Sequence, residues 1–167
     1  HLKGYVIMLG DVSRAFLHAI LKEEDQFYVE PPPEWKAWRR SQGLDADNVV
    51  WRLLKQLPAR RKAAAHWCDH VQKQLGEMKF IPYPAQPYFY ARPGTRLVIE
   101  THMDDFDGLA KRSEAEALLP GLRRDLKLKA SELAIVGAYN HVRRRRIKTT
   151  EGVLIQPNAK HLSNVVA

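Results

Sequence analysis

The chain has 167 residues, 45% of them hydrophobic and 28% charged, with a formal net charge of +8 and a pI of about 9.7. That length and composition suit one globular domain with a real core and exclude intrinsic disorder; no apolar run approaches the ~20 residues of a membrane span. A single cysteine, Cys68, excludes an internal disulfide and a cysteine-based zinc site and fits a reducing compartment, while the basic balance points to a polyanionic partner such as nucleic acid.

Tyr5 to Leu9 is a continuous apolar run, the pattern of a strand buried on both faces. Val12 to Leu21 reads as a short helix with Ala15, Phe16 and Ala19 on one side. Gln26 to Glu30 alternates like a short strand and is stopped by Pro31-Pro32-Pro33. Glu34 to Ser41 is expected as a small helix, and Val49 to Leu54 as a strand. Arg60 to Lys79 is the clearest helix, because Ala64, Trp67, Cys68, Val71, Leu75 and Met78 recur at three- and four-residue steps. His66 and His70 share a face of it and read as ordinary surface histidines. Prolines 82, 84 and 87 break the next segment. Tyr88 to Ala91, Leu97 to His102 and Phe106 to Ala110 read as strands, with Met103-Asp104-Asp105 at a hairpin tip. Ser113 and Glu116 have capping-box spacing ahead of a helical stripe that Pro120-Gly121 is expected to kink or end. Leu133 to Val136, Tyr139 to Ile147 and Val153 to Gln156 read as strands, and Asn158 to Val166 as a final helix. The interleaving predicts an α+β fold, with helices packed on one face of an antiparallel sheet.

The acids carry the chemistry. Asp11 ends the first apolar run, and Asp104-Asp105 lies between two later ones, with Asp107 close behind. Acid concentrated there, in an otherwise basic chain, asks for a cation. Two carboxylates brought together from adjacent strands are what phosphoryl transfer to a 3′-hydroxyl requires. Two divalent ions there lower the pKa of the attacking hydroxyl and stabilise charge building on phosphorus. The backbone carbonyl of Val12 is a candidate further ligand. The carboxylates of Asp11 and Asp104 are expected to lie close enough to share an ion.

The segment Asp11-Val12-Ser13-Arg14-Ala15-Phe16-Leu17-His18-Ala19 resembles the Asp-Val-x-x-Ala-Phe-Leu-x-Gly of Ty1/copia-type retrotransposon reverse transcriptases, with Ala19 in place of the Gly. Phe27 to Pro32, Val50 to Lys55, Lys79-Phe80, Gln86 to Tyr90, Arg145 to Gly152 and Pro157 to His161 resemble further pieces of that family in order. His102-Met103-Asp104-Asp105 sits where the family has Tyr-Val-Asp-Asp. The resemblance covers nearly all of the chain. It implies one domain over residues 1–167, a polymerase palm-like sheet with fingers and thumb incomplete. It implies Asp11, Asp104 and Asp105 as catalytic aspartates, with Mg²⁺ or Mn²⁺ held by them and by Val12. Phe16 would underlie the incoming sugar and exclude a 2′-hydroxyl. The partners implied are an RNA or DNA template-primer and deoxynucleoside triphosphates, and the expected location is intracellular, in a cytoplasmic particle or the nucleus. Fingers, thumb and ribonuclease H parts would lie in a longer parent chain, so these residues alone are expected to be inactive.

The departures from the family pattern are local. Where the family has Tyr-Gly-Leu-x-x-Ala-Pro-Arg, this chain has Pro58-Ala59-Arg60-Arg61-Lys62-Ala63-Ala64-Ala65, and His102 replaces the Tyr before the Asp pair. Arg60, Arg61 and Lys62, with Arg143 and Arg145 of the later run, are the candidate nucleic-acid contacts. These features frame the expected function, RNA-dependent DNA synthesis, and its alternative, a non-catalytic basic nucleic-acid-binding relic of such a domain.

Overall fold

The first strand, β1 (Tyr5–Val12), is longer than its apolar run, because hydrogen-bonded neighbours on both sides carry it through Gly10, Asp11 and Val12. The expected helix from Val12 is therefore not formed. The ladder holds Val12 extended, Arg14 takes a left-handed φ of 58°, and only a single 3-10 turn, Ala15–His18, follows. The structure is a computed structural model that describes residues 4–130, 133, 137–141, 144–149, 151–157 and 163.

The chain divides into two compact units, His1–Ala15 with Val71–Ala167, and Phe16–His70. In the second of these, β2 (Tyr28–Val29) and α1 (Pro33–Ser41) precede β3 (Trp51–Arg52), and β2 pairs with β3 in antiparallel register. Both strands are shorter than their sequence patterns. The prolines begin α1 instead of merely stopping β2, since Pro at the first helical position gives up a donor that has no partner anyway. Helix α2 (Ala63–Glu77) contributes its first half to this unit and its second half to the other. Its C-terminus closes on Lys79, left-handed at φ 68°, with Lys79 N–H donating to Gly76 O (2.9 Å) and Phe80 N–H to Leu75 O (3.0 Å).

The first unit holds β4 (Ile81–Tyr83), β5 (Gln86–Ala91), β6 (Val98–His102), β7 (Asp105–Lys111), α3 (Arg112–Asp125) and β8 (Leu128–Ala130). With β1 these strands make one six-stranded sheet in the order β4-β5-β6-β7-β1-β8, antiparallel at every pairing. Pro82 does not prevent pairing because β4 is the edge strand, where a missing N–H faces outward, and Pro84 lies in the turn that follows it. Alternation divides the sheet's faces. Val6, Met8, Val12, Ile99, Phe106 and Leu128 are buried on one face, and α3 packs on β1, β7 and β8 with Leu118, Leu119 and Leu122 buried. Helix α3 runs unbroken through Pro120. Its apolar stripe docks on the sheet before and after the proline, and that burial outweighs the missing bond. Its N-terminus is capped two residues earlier than the sequence suggests, by Lys111 N–H donating to Glu114 Oε2 at 3.2 Å.

Three further strands, β9 (Gly137–His141), β10 (Arg144–Lys148) and β11 (Val153–Gln156), form a second antiparallel sheet. The single strand expected over Tyr139 to Ile147 is thus two, paired with His141 opposite Arg144. The strand expected over Leu133 to Val136 is not seen at Leu133; residues 134–136, like the helix expected over Asn158 to Val166, fall outside the described residues except for Ser163.

Two glycines on the helix-covered face predict contrasting costs. A Cβ at Gly10 would lie 2.6 Å from Leu128 Cγ, in the middle of a buried side chain, whereas one at Gly108 would meet only the terminal Cε of Met8, at 2.7 Å. Gly10→Ala should destabilise by about 1–3 kcal/mol and Gly108→Ala by less, because a methionine end swings aside. Urea unfolding of the two variants gives the order; the reverse order would show that Leu128 has room to move.

Candidate active site

The geometry begins with backbone register. Asp11 of β1 lies directly opposite Asp105 of β7, and Asp105 opposite His102 of β6; on the other side of β1, Asp11 faces Lys129 of β8. Directly opposed residues share a face and bring their Cβ atoms about 4.5–5.5 Å apart. Four strands therefore present one row, His102, Asp105, Asp11, Lys129, on the face away from α3. Asp11, His102 and Lys129 are exposed and Asp105 is half-buried.

Asp104 sits in the two-residue turn that joins β6 to β7. Its carbonyl accepts from Val12 N–H at 2.9 Å, which ties the tip to the end of β1. In an antiparallel strand a residue's N–H and C=O point to the same neighbour, so the Val12 carbonyl is directed to the tip as well. Met103, before Asp104, takes φ 56°, a left-handed conformation that costs a non-glycine residue of the order of 1–2 kcal/mol. Strain of that size at a turn between two functional-type side chains marks a shape held by its surroundings.

A cavity of about 220 Å³ opens beside this row, lined by Leu9, Gly10, Asp11, Asp105, Phe106, Lys129, Asn140 and His141. Lys129, Asn140 and His141 were not singled out in the sequence. Lys129 lies on a three-residue strand too short to register as a period, and Asn140 and His141 come from a segment read as one long strand.

Two residues further down the same face lies a second polar group. Arg146 of β10 donates from Nη1 to Asp107 of β7, and from Nη2 to Glu100 of β6 at 2.9 Å; Tyr139 Oη donates to Asp107 Oδ2 at 3.4 Å. His141 Nε2 lies 3.9 Å from Glu100 and makes no hydrogen bond although the residue is buried. Among the described residues, Glu100, Asp107 and His141 are the one trio with potential ligand atoms all within 4.8 Å of one another. The Arg146 guanidinium already supplies a cation there. Burial raises the Asp107 carboxyl above the usual range, against the pull of Arg146 and His141, and burial lowers His141 below the usual imidazole value. Tyr139 is pushed up to about 12 by burial and by the Asp107 charge.

The remaining candidates are spread out. Phe16 is half-buried in the 3-10 turn after β1, within the unit Phe16–His70. Arg60 lies over the Phe27 ring at 4.5 Å and donates to Gln56 Oε1 at 3.1 Å; Lys62 bonds Asp25 at 2.5 Å and holds that carboxyl below its usual range. Arg61 is exposed. Arg145 is exposed on β10, while its neighbour Arg146 turns the other way, as strand alternation requires. Arg143 lies outside the described residues. His66 is not a surface histidine: it is buried, with Nδ1 against the Gln56 amide and Nε2 2.9 Å from Asp25.

Two outcomes follow from the Arg146 group. Arg146→Met strands two largely buried carboxylates and should cost about 3–5 kcal/mol in chemical denaturation, with much of it recovered when Asp107→Leu is added. For His141 the folded value lies below the unfolded one, so the stability tied to its neutral form is complete above about pH 6.5 and is lost as pH falls through the depressed folded value. Asp107 acts in the opposite sense, its raised value easing as pH falls. Thermal melts of wild type and His141→Gln between about pH 7.5 and 5 isolate the imidazole: wild type should lose the difference on acidification, and parallel curves would refute it.

No curated protein matches the chain. A family model described as reverse transcriptase (RNA-dependent DNA polymerase) matches residues 2–165. That match spans both units and includes Asp11, Asp104 and Asp105, so the chain belongs to the reverse transcriptase (RNA-dependent DNA polymerase) family, of the Ty1/copia type.

Proposed function

We propose that the chain forms the palm of a Ty1/copia-type reverse transcriptase and that its chemistry is template-directed DNA synthesis. The observation that carries this reading is the register of Asp11 against Asp105, with Asp104 in the adjoining turn bonded through its carbonyl to Val12. The donor set fits a hard divalent ion: carboxylate oxygens on rigid neighbouring strands, open to solvent, with a backbone carbonyl directed to the same place. Asp11, Asp104, Asp105 and the Val12 carbonyl would hold Mg²⁺ or Mn²⁺. When bound, such ions activate the 3′-hydroxyl and stabilise charge on the transferring phosphate.

The chain's own residues do the positioning. β1 and β7 fix the acids to one another, and the Val12 to Asp104 bond holds the tip. Lys129, beside Asp11, offers a cation to substrate phosphate. Asn140 and His141 form a wall of the adjoining cavity. Phe16 is assigned to the sugar of the incoming nucleotide, and Arg61 and Arg145, both exposed, to the nucleic-acid backbone. RNA or DNA template-primer and deoxynucleoside triphosphates are the proposed partners, in an intracellular setting.

The second reading, a non-catalytic nucleic-acid-binding relic, is favoured by the segment Pro58 to Ala65. There the Gly, Pro and Arg of the family pattern are replaced, which removes residues that would position template and nucleotide. Two measurements separate the readings. Both require primer-template binding that weakens steeply with salt, because phosphate contacts release counterions. The catalytic reading further requires that a matching deoxynucleoside triphosphate bind to that complex in a Mg²⁺- or Mn²⁺-dependent way, and that Asp105→Asn abolish this. Salt-sensitive binding without ion-dependent nucleotide binding supports the relic. No binding at low salt overturns both.

A further inference from the structure

The acidic row ends in two different ways. At one end Lys129 stands next to Asp11; at the other His102 stands next to Asp105. A lysine repels a divalent ion and competes for the carboxylate beside it. A histidine can add a nitrogen donor when neutral. The row is therefore biased, and an ion shared by the two aspartates is drawn to the Asp105 end, away from Lys129.

His102 is well placed to take part. It is the last residue of β6, directly across the two-residue turn from Asp105, on the same face and exposed. The strand register makes the two residues direct cross-strand neighbours. In the trio Glu100, Asp107 and His141 both carboxylates are already bonded to the Arg146 guanidinium, which weakens its claim on an ion. The Tyr that His102 replaces in the family pattern has no comparable donor near neutral pH.

We propose that His102 is a further metal ligand, so that this site has a mixed oxygen and nitrogen donor set and prefers Mn²⁺ or Zn²⁺ to Mg²⁺. The inference rests on the reading of Asp11 and Asp105 as ion-holding residues. Its physical basis is ligand hardness. Mg²⁺ selects carboxylate, carbonyl and water oxygens and gains little from imidazole, whereas Zn²⁺ is well matched to it and Mn²⁺ tolerates it.

The test uses the metals alone. Mn²⁺, Zn²⁺ and Mg²⁺ are titrated into the full chain, wild type, His102→Tyr, His102→Gln and Asp105→Asn, with far-ultraviolet circular dichroism as the folding control. Mn²⁺ electron spin-echo spectra report directly on nitrogen in the ion's shell. The expected result is Mn²⁺ and Zn²⁺ affinity about tenfold weaker in both His102 variants, with Mg²⁺ affinity unchanged within about twofold. The imidazole nitrogen modulation should also disappear from the Mn²⁺ spectrum. Zn²⁺ held by other histidines among the chain's seven is recognised because Asp105→Asn leaves it in place. If ions bind in an Asp105-dependent way with no nitrogen signal and no response to His102, the ligand assignment is overturned and the carboxylate site stands. If no ion affinity responds to Asp105→Asn, the assignment and the metal-dependent reading beneath it both fall.

Discussion

Everything in the first unit depends on the antiparallel register of β1 against β7. Seven consecutive pairs, from Tyr5 opposite Lys111 to Asp11 opposite Asp105, set which side chains face α3 and which face away. The side-chain period of a strand is two, so a slip of one residue would exchange the faces. Asp11 would then turn into the apolar layer now filled by Val12, Phe106 and Leu128, and Val12 would face water. Burying an unpaired carboxylate costs far more than any local gain, so the core and the acidic row select the same register. The close fit of Gly10 under Leu128 reinforces it, since another residue in that place would meet the leucine head-on.

The face away from α3 changes character along its length. Ile7 is buried and Leu109 half-buried near the base of β1 and β7; then come Glu100 and Asp107 with Arg146; then the open row of His102, Asp105, Asp11 and Lys129. The middle group explains how a polar face is covered by a second sheet at all. Arg146 reaches both strands of the β6–β7 hairpin from β10, so one guanidinium ties the second sheet to the hairpin that carries the acids. A bidentate cation is suited to this, having planar donors matched to two carboxylates. Buried ion pairs rarely add net stability over apolar packing; what this one contributes is placement, because a guanidinium accepts carboxylates in only a few directions.

The parts legible in the sequence were those with strong local signals. The apolar run of β1, the three- and four-residue stripe of α2 and the acids between two strand patterns all survive in the structure, because core burial favours what the pattern suggests. What was missed depends on tertiary partners. β8 is three residues, Leu128–Ala130, with no period of its own; it is a strand only because β1 is beside it. Pro120 reads as a helix breaker, yet α3 continues because residues before and after it are buried on the sheet. The strand ladder overrode a helix-like spacing after Val12. His66 reads as surface, and only the fold brings Asp25 and Gln56 to it. The Arg145-Arg146 pair shows the same limit: alternation separates them, but nothing in the sequence says that Arg146 is the one facing two acids.

The charge distribution adds a constraint of its own. The whole chain is +8, yet its turn and row place three carboxylates, Asp11, Asp104 and Asp105, against one lysine, Lys129. A polyanion drawn to the basic surface therefore meets local repulsion at the one place where strand ends, turn and cavity converge. Lengthening the basic runs would not relieve this, because exposed charges beyond about 8–10 Å are screened at physiological salt. A divalent ion at the carboxylates would cancel that net negative charge, and a bound ion would then be the largest single charge in the neighbourhood. The acids and the basic surface thus make opposite demands on a phosphate backbone, and a cation held in the row, as proposed above, would reconcile them.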